Sequence, residues 1–291
     1  SKWMEEIQQH GAYPTSNQYN NLEWLEHSGQ MPIPNNQHNP YKEAFWEWWP
    51  RLYKSLHTFR ITGGEPLMSK DTFKVLDYIQ QTEEPNTNLL IGINANFGVP
   101  DKLFDKFLKQ SREILDSKRL RKLEIYTSAE AWDDKNDYIR YGMNYNQFIK
   151  RIAQCIETLP EVPITFMCAY NALSISSFTK FLKDIELVRE HFGKESVYVD
   201  IPYVRHPEFL DCKIMKEGHM IKESWEYMSK SSYFDDDETA KMKRIYRYWE
   251  HQQQNDFAKQ QEDLRNYVHE LDKRRGTDFV KTFPEFKEYY E

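Results

Sequence analysis

Leu56-His57-Thr58-Phe59-Arg60-Ile61-Thr62-Gly63-Gly64-Glu65-Pro66-Leu67 is the stretch whose reading decides the fold. A short apolar run, spaced as a strand, gives way to two glycines, a carboxylate and a proline. A helix is then expected to start at Ser69-Lys70-Asp71. Paired glycines at the carboxyl end of a strand let the backbone approach a ligand that side chains would hold off. Free carbonyls there, together with Glu65, can accept hydrogen bonds from a cationic amine.

The same alternation repeats outward from this turn. A helix near 41–55 precedes the first strand at 57–61, and another near 70–81 follows it. A strand at 88–93 leads to a helix opened by Pro100-Asp101, where proline suits the first turn. The strand at 122–126 is followed by a helix near 144–158, and the strand at 162–167 by a helix near 174–191. The last strand of the series lies at 196–201. Five strands alternating with helices predict an α/β fold with a parallel sheet and right-handed crossovers. Ligand sites in such folds gather at the carboxyl ends of the strands.

Three parts follow from this pattern. Residues 1–40, polar and interrupted by Pro14, Pro32, Pro34 and Pro40, read as an irregular segment with a short helix near Leu22-Glu23-Trp24-Leu25. Residues 41–215 form the α/β core. Residues 216–291, without a glycine between Gly218 and Gly276, read as a charged helical extension or lid.

Composition narrows the function classes. A hydrophobic fraction of 39% with 29% charged residues describes a globular chain. No apolar run approaches the roughly 18 residues of a membrane span, and the amino end lacks an apolar signal core. Cys155, Cys168 and Cys212 are odd in number and widely spaced, as expected of unpaired thiols in a cytoplasmic protein. Cys168 reads as a buried small hydrophobe. No close histidine pair and no complete set of metal ligands is visible. A net charge of −7 argues against general nucleic-acid binding, and Lys118-Arg119-Leu120-Arg121-Lys122 reads as a solvated helix end. Phe45, Trp46, Trp48, Trp49 and Tyr53 crowd one segment. Positions 45, 48, 49 and 52 share a helix face, expected either to pack on the core or to wall a substrate site.

The other strand ends carry chemistry too. The second closes in Asn94-Ala95-Asn96-Phe97-Gly98, and the fourth in Cys168-Ala169-Tyr170-Asn171. The third closes in Thr127-Ser128-Ala129-Glu130-Ala131-Trp132, with Tyr138-Ile139-Arg140-Tyr141-Gly142 after it. In this order they resemble the core of the radical S-adenosylmethionine enzymes. There a GGEP turn, an Asn-bearing turn, a Ser-x-Glu and a downstream Arg follow successive strands. The segments Pro207-Glu208-Phe209-Leu210, Leu271-Asp272-Lys273-Arg274-Arg275-Gly276-Thr277 and Phe283-Pro284-Glu285 are similar to those of the twitch-domain-containing members. The resemblance covers most of residues 57–291.

It implies a partial (β/α) TIM-like barrel whose first strand is missing, with S-adenosylmethionine and a [4Fe-4S] cluster as cofactors. The parent protein would cleave S-adenosylmethionine reductively, with an external electron donor, to a 5′-deoxyadenosyl radical that abstracts hydrogen from an unidentified substrate. Gly63, Gly64, Glu65 and Pro66 would form the cofactor turn, the first three receiving the methionine ammonium. Ser128 and Glu130 would bind ribose hydroxyls or the carboxylate, Arg140 the carboxylate, and Asn171 the ribose or adenine, with Asn96 beside them. The family's CxxxCxxC motif is absent, so the resemblance places the cluster loop upstream of Ser1. This chain alone is then expected to carry no catalytic residue and no metal ligand, and to be inactive. A cluster-less S-adenosylmethionine-binding relative and a non-enzymatic partner-binding module are the alternatives. Each residue also has a plainer reading. Ser128 can turn the chain, Glu130 and Arg140 can pair at the surface, Asn94, Asn96 and Asn171 can satisfy loop backbone, and Asp272, Arg274 and Arg275 can form a charged helix end.

Overall fold

The strand before the glycine pair is β1, Thr58–Ile61. Four more follow it: β2, Leu90–Asn94; β3, Lys122–Thr127; β4, Ile164–Met167; and β5, Val197–Asp200. They form one all-parallel sheet in the order β1-β2-β3-β4-β5. The computed structural model describes residues 2–15, 22–31 and 38–291, so Pro32 and Pro34 lie outside it.

Helices alternate with the strands where the hydrophobic pattern placed them. Among the described residues three precede β1: α1, Lys2–His10; α2, Leu22–His27; and α3, Pro40–Ser55. The crossovers carry α4, Lys70–Gln81; α5, Asp101–Asp116; α6, Asp134–Ile139; α7, Tyr145–Thr158; and α8, Phe178–Phe192. After β5 come α9, Gly218–Lys230; α10, Asp236–Gln252; α11, Ala258–Arg275; and α12, Phe279–Thr282. Local capping fixes the starts. Asn39 accepts from the Tyr41 and Lys42 N–H groups ahead of α3, and Ser69 accepts the Asp71 N–H ahead of α4. Such caps contribute about 1 kcal/mol each.

A strand order that never reverses, with right-handed crossovers, puts the crossover helices on a single face. Burial agrees. Ile91, Ile93, Leu123, Ile125, Ile164, Phe166, Val197 and Val199 are all buried. Their alternates Arg60, Glu124, Tyr126, Thr165 and Tyr198 are exposed or half-buried on the other face. There Arg60 lies over the Tyr126 ring at 4.9 Å. Gly92 makes room for it, since a Cβ at 92 would meet Arg60 Cγ at 3.3 Å.

The aromatic helix α3 packs on the core, with one correction to the helix-face reading. Trp49 and Tyr53 are buried and Phe45 and Trp46 pack beside them, whereas Trp48 is 48% exposed. Among its described residues the N-terminal segment carries α1, a helix that its polar sequence does not announce. Helix α1 docks on α11, where Glu6 pairs with Arg275 at 3.2 Å and the Arg274 guanidinium lies 4.0 Å from the Tyr13 ring centroid. Asp272, Arg274 and Arg275 do form the charged end of α11, and their side chains are packed against the rest of the chain while Lys273 faces solvent. Asp272 accepts the Tyr138 hydroxyl at 3.1 Å and the Phe279 N–H at 2.8 Å, holding the tail against α6. No helix among the described residues is long and apolar enough to cross a membrane.

Candidate functional site

At the carboxyl end of β1 the chain turns through Gly63, whose φ of +116° is open to glycine and rarely to other residues. Glu65 then does two things. One carboxylate oxygen accepts the Leu67 N–H at 3.1 Å, capping the turn Pro66–Met68. The other accepts the Asn96 N–H at 2.9 Å, tying this loop to the one after β2. Burial pushes the Glu65 carboxyl pKa up, and the N–H groups of Leu67, Asn96, Gly98 and Phe97 pull it back.

Asn96 continues the stitching. Its side-chain oxygen accepts the Ser128 N–H at 2.9 Å and the Thr127 hydroxyl at 3.4 Å, joining the β2 loop to the β3 loop. Glu130, 2% exposed, accepts Arg140 Nε at 2.5 Å and Arg140 Nη2 as a fork, which leaves Nη1 without a protein partner among the described residues. Asn171 closes a turn after β4. It accepts the Leu173 N–H at 2.9 Å and donates to Ala169 O at 3.0 Å.

These loops enclose a cleft of about 520 Å³, lined by Gly64, Glu65, Asn96, Glu130, Arg140 and Asn171 with an apolar wall that includes Met143 and Leu210. That size is ordinary for a small-molecule site. Of the candidate residues, Gly63, Pro66 and Ser128 do not line it. Gly63 shapes the turn, Ser128 contributes its backbone N–H to Asn96, and Pro66 is buried and borders a separate hollow beside the outer edge of β1. Gly64 and Gly98 face the cleft, and no protein atom lies within 4 Å of where a Cβ would stand on either. A side chain there would take up ligand space.

A larger hollow of about 780 Å³ lies at the amino ends of β3 to β5, lined by Lys122, Glu124 and Tyr198. It gathers none of the candidate residues, and ligands of open parallel sheets bind at the opposite, carboxyl end. Sequence reasoning missed Phe97 and Arg151. Phe97 is buried at φ 57°, and Arg151, 4% exposed, donates to the Phe97 and Val99 carbonyls, the latter at 2.8 Å. It so braces the loop that carries Asn96 and Gly98. A helix-interior arginine gives no sequence signal for that role.

Among the described residues no group of three His, Cys, Asp or Glu side chains is placed to hold a metal ion. Cys155, Cys168 and Cys212 are each buried and unpaired, and burial pushes their thiol pKa values up. No protein-family model, no curated protein and no solved structure matches this chain.

Proposed function

We propose that the cleft at the strand carboxyl ends binds S-adenosylmethionine, in a partial barrel of the radical S-adenosylmethionine type. One observation carries the reading. Six residues picked from the family's motif order, spread over 64 to 171 and four successive strand ends, line a single cleft. Strand order supports the barrel part. The sheet runs β1 to β5 without reversal, and the outer edge of β1 has no strand partner among the described residues.

The site's chemistry suits the amino-acid end of the cofactor. Gly64 and Gly98 leave room at the loop backbone. Backbone N–H groups take up the Glu65 oxygens, so Glu65 fixes the turn and places negative charge beside an ammonium, and Arg140 Nη1 offers a donor to a carboxylate. Asn96 and Asn171 are committed to loop backbone, so they shape the cleft rather than reach into it. The residues present do not fit a [4Fe-4S] cluster. The only thiols are three separated, buried ones, and the proposal for this chain is confined to cofactor binding.

The test is calorimetric titration with S-adenosylmethionine. Saturable one-site binding is expected, weakened about tenfold or more, roughly 1.4 kcal/mol, by Gly64→Val. No binding to the folded wild-type chain would overturn the reading.

A further inference from the structure

Arg205, Arg244 and Arg247 are exposed, and none of them forms an ion pair among the described residues. Arg112, Arg140 and Arg189 are by contrast each held by carboxylates, and although Arg51, Arg60 and Arg121 are likewise exposed without an ion pair among the described residues, Arg205, Arg244 and Arg247 stand together on one surface. The acids on the adjoining segments are turned elsewhere. Asp200 meets Lys241 at 3.1 Å, and Asp211 and Glu208 meet Lys213 at 3.8 and 3.9 Å.

Two of the three guanidiniums rest on tyrosine rings. Arg205 lies 5.2 Å from the Tyr248 centroid and Arg244 6.0 Å from that of Tyr203, and the two rings pack on each other at 4.9 Å. The platform is fixed from behind. Tyr248 donates its hydroxyl to the fully buried Asp211 at 2.7 Å, and Tyr203 pairs with Tyr170 in an isolated backbone bridge just beyond β4 and β5. Arg247 stands three residues from Arg244 on α10, on a neighbouring position of the same surface. Arg205 also hydrogen-bonds the Tyr248 hydroxyl, and the five N–H donors of a guanidinium leave others for an anion. The patch also borders the cleft, because Val204, between Tyr203 and Arg205, lines it.

We propose that this patch docks the phosphate backbone of a single-stranded nucleic acid along the rim of the cleft. Each exposed cation contributes little alone, so the occupant must engage several at once, as a chain of phosphates does. Arginines interleaved with tyrosines suit such a backbone. The acidic remainder of the surface confines docking to this patch. The proposal uses residues other than the cofactor cleft's and is tested without S-adenosylmethionine, so either reading can fail alone.

The experiment is fluorescence anisotropy with a labelled single-stranded RNA of about 12 nucleotides, titrated between about 25 and 200 mM salt. Three phosphate contacts predict a slope of log affinity against log salt of about −2. The triple variant Arg205→Gln/Arg244→Gln/Arg247→Gln should bind about tenfold more weakly at low salt, with its fold checked by thermal unfolding. Arg247→Gln alone, which disturbs no ring contact, should reduce the slope by about 0.7. Unchanged affinity and slope in both variants would overturn the proposal. So would displacement of the RNA by polyglutamate, or by duplex RNA, as readily as by unlabelled single strand.

Discussion

Arg189 and Glu238 form a buried fork that closes the outer edge of β5. Glu238 accepts Arg189 Nη1 at 2.9 Å and Nη2 at 2.5 Å, and its Oε1 also takes the Val199 N–H at 2.8 Å. Arg189 in turn donates from Nε and Nη2 to the Val197 carbonyl at 3.1 and 2.9 Å. The pair thus supplies the edge strand with a donor and an acceptor that another strand would otherwise provide, which blunts edge-to-edge association. Among the described residues β1 has no such cover.

Removing one member alone should be costly, because it leaves the other as a buried, unpaired charge. Arg189→Met is expected to lower unfolding stability by about 3 to 5 kcal/mol. Arg189→Met/Glu238→Gln should cost less than the sum of the two single changes. Urea unfolding of the four proteins of this cycle decides it, and strict additivity would show that the two side chains act independently.

The two glycines of the first turn should separate cleanly. Gly63 sits at φ +116°, so Gly63→Ala is expected to cost about 1 to 2 kcal/mol although its Cβ meets no atom. Gly64 has no positive φ and faces the cleft, so Gly64→Ala should leave the melting temperature near that of the wild type. Equal destabilisation by both changes would contradict the turn geometry.

Much of the fold was legible because strand and helix periods are written in buried apolar residues. The runs ending at Ile61, Ile93, Tyr126, Met167 and Ile201 mark all five strands within a few residues. Helix α1 was not legible. What holds it is contact with nearby Tyr13 and with Arg274 and Arg275, distant in sequence, all of them charged or aromatic rather than patterned. Of the expected face 45, 48, 49 and 52, only Trp48 turns outward, and the packing adds 46 and 53. At the site, residue types announced polar loops at the strand ends. They did not reveal that Glu65 and Asn96 spend their oxygens on backbone N–H groups of the next loop, nor that Phe97 occupies a left-handed conformation. Those follow from how loops meet in space.

The thiols set an alkaline limit on stability. Burial raises the Cys155 pKa to about 12 and pushes Cys168 and Cys212 up as well. In the unfolded chain they ionise near pH 8.5. Above that pH the unfolded state holds fewer protons than the native one, so stability falls as pH rises. Each thiol contributes about 1.4 kcal/mol per pH unit until its native pKa is reached. Unfolding at pH 8 and pH 10 measures the slope, and Cys155→Ala should shallow it. At pH 8 the native protein should show no thiol reactive toward an aromatic disulfide reagent, and three after denaturation.

The Glu130–Arg140 fork tests whether the cleft's arginine serves a ligand or only a buried carboxylate. Arg140→Ala strands Glu130, 2% exposed, and should lower stability by about 3 kcal/mol or more, so lost binding in that variant would be ambiguous. Glu130→Gln/Arg140→Met removes both charges and should recover most of that stability. If Arg140 Nη1 holds a ligand carboxylate, the double variant should bind S-adenosylmethionine about tenfold more weakly. The same variant should bind decarboxylated S-adenosylmethionine as the wild type does, because that ligand never used the arginine. Equal weakening for both ligands would show that the fork only shapes the cleft, and Arg140 would then have no direct part in binding.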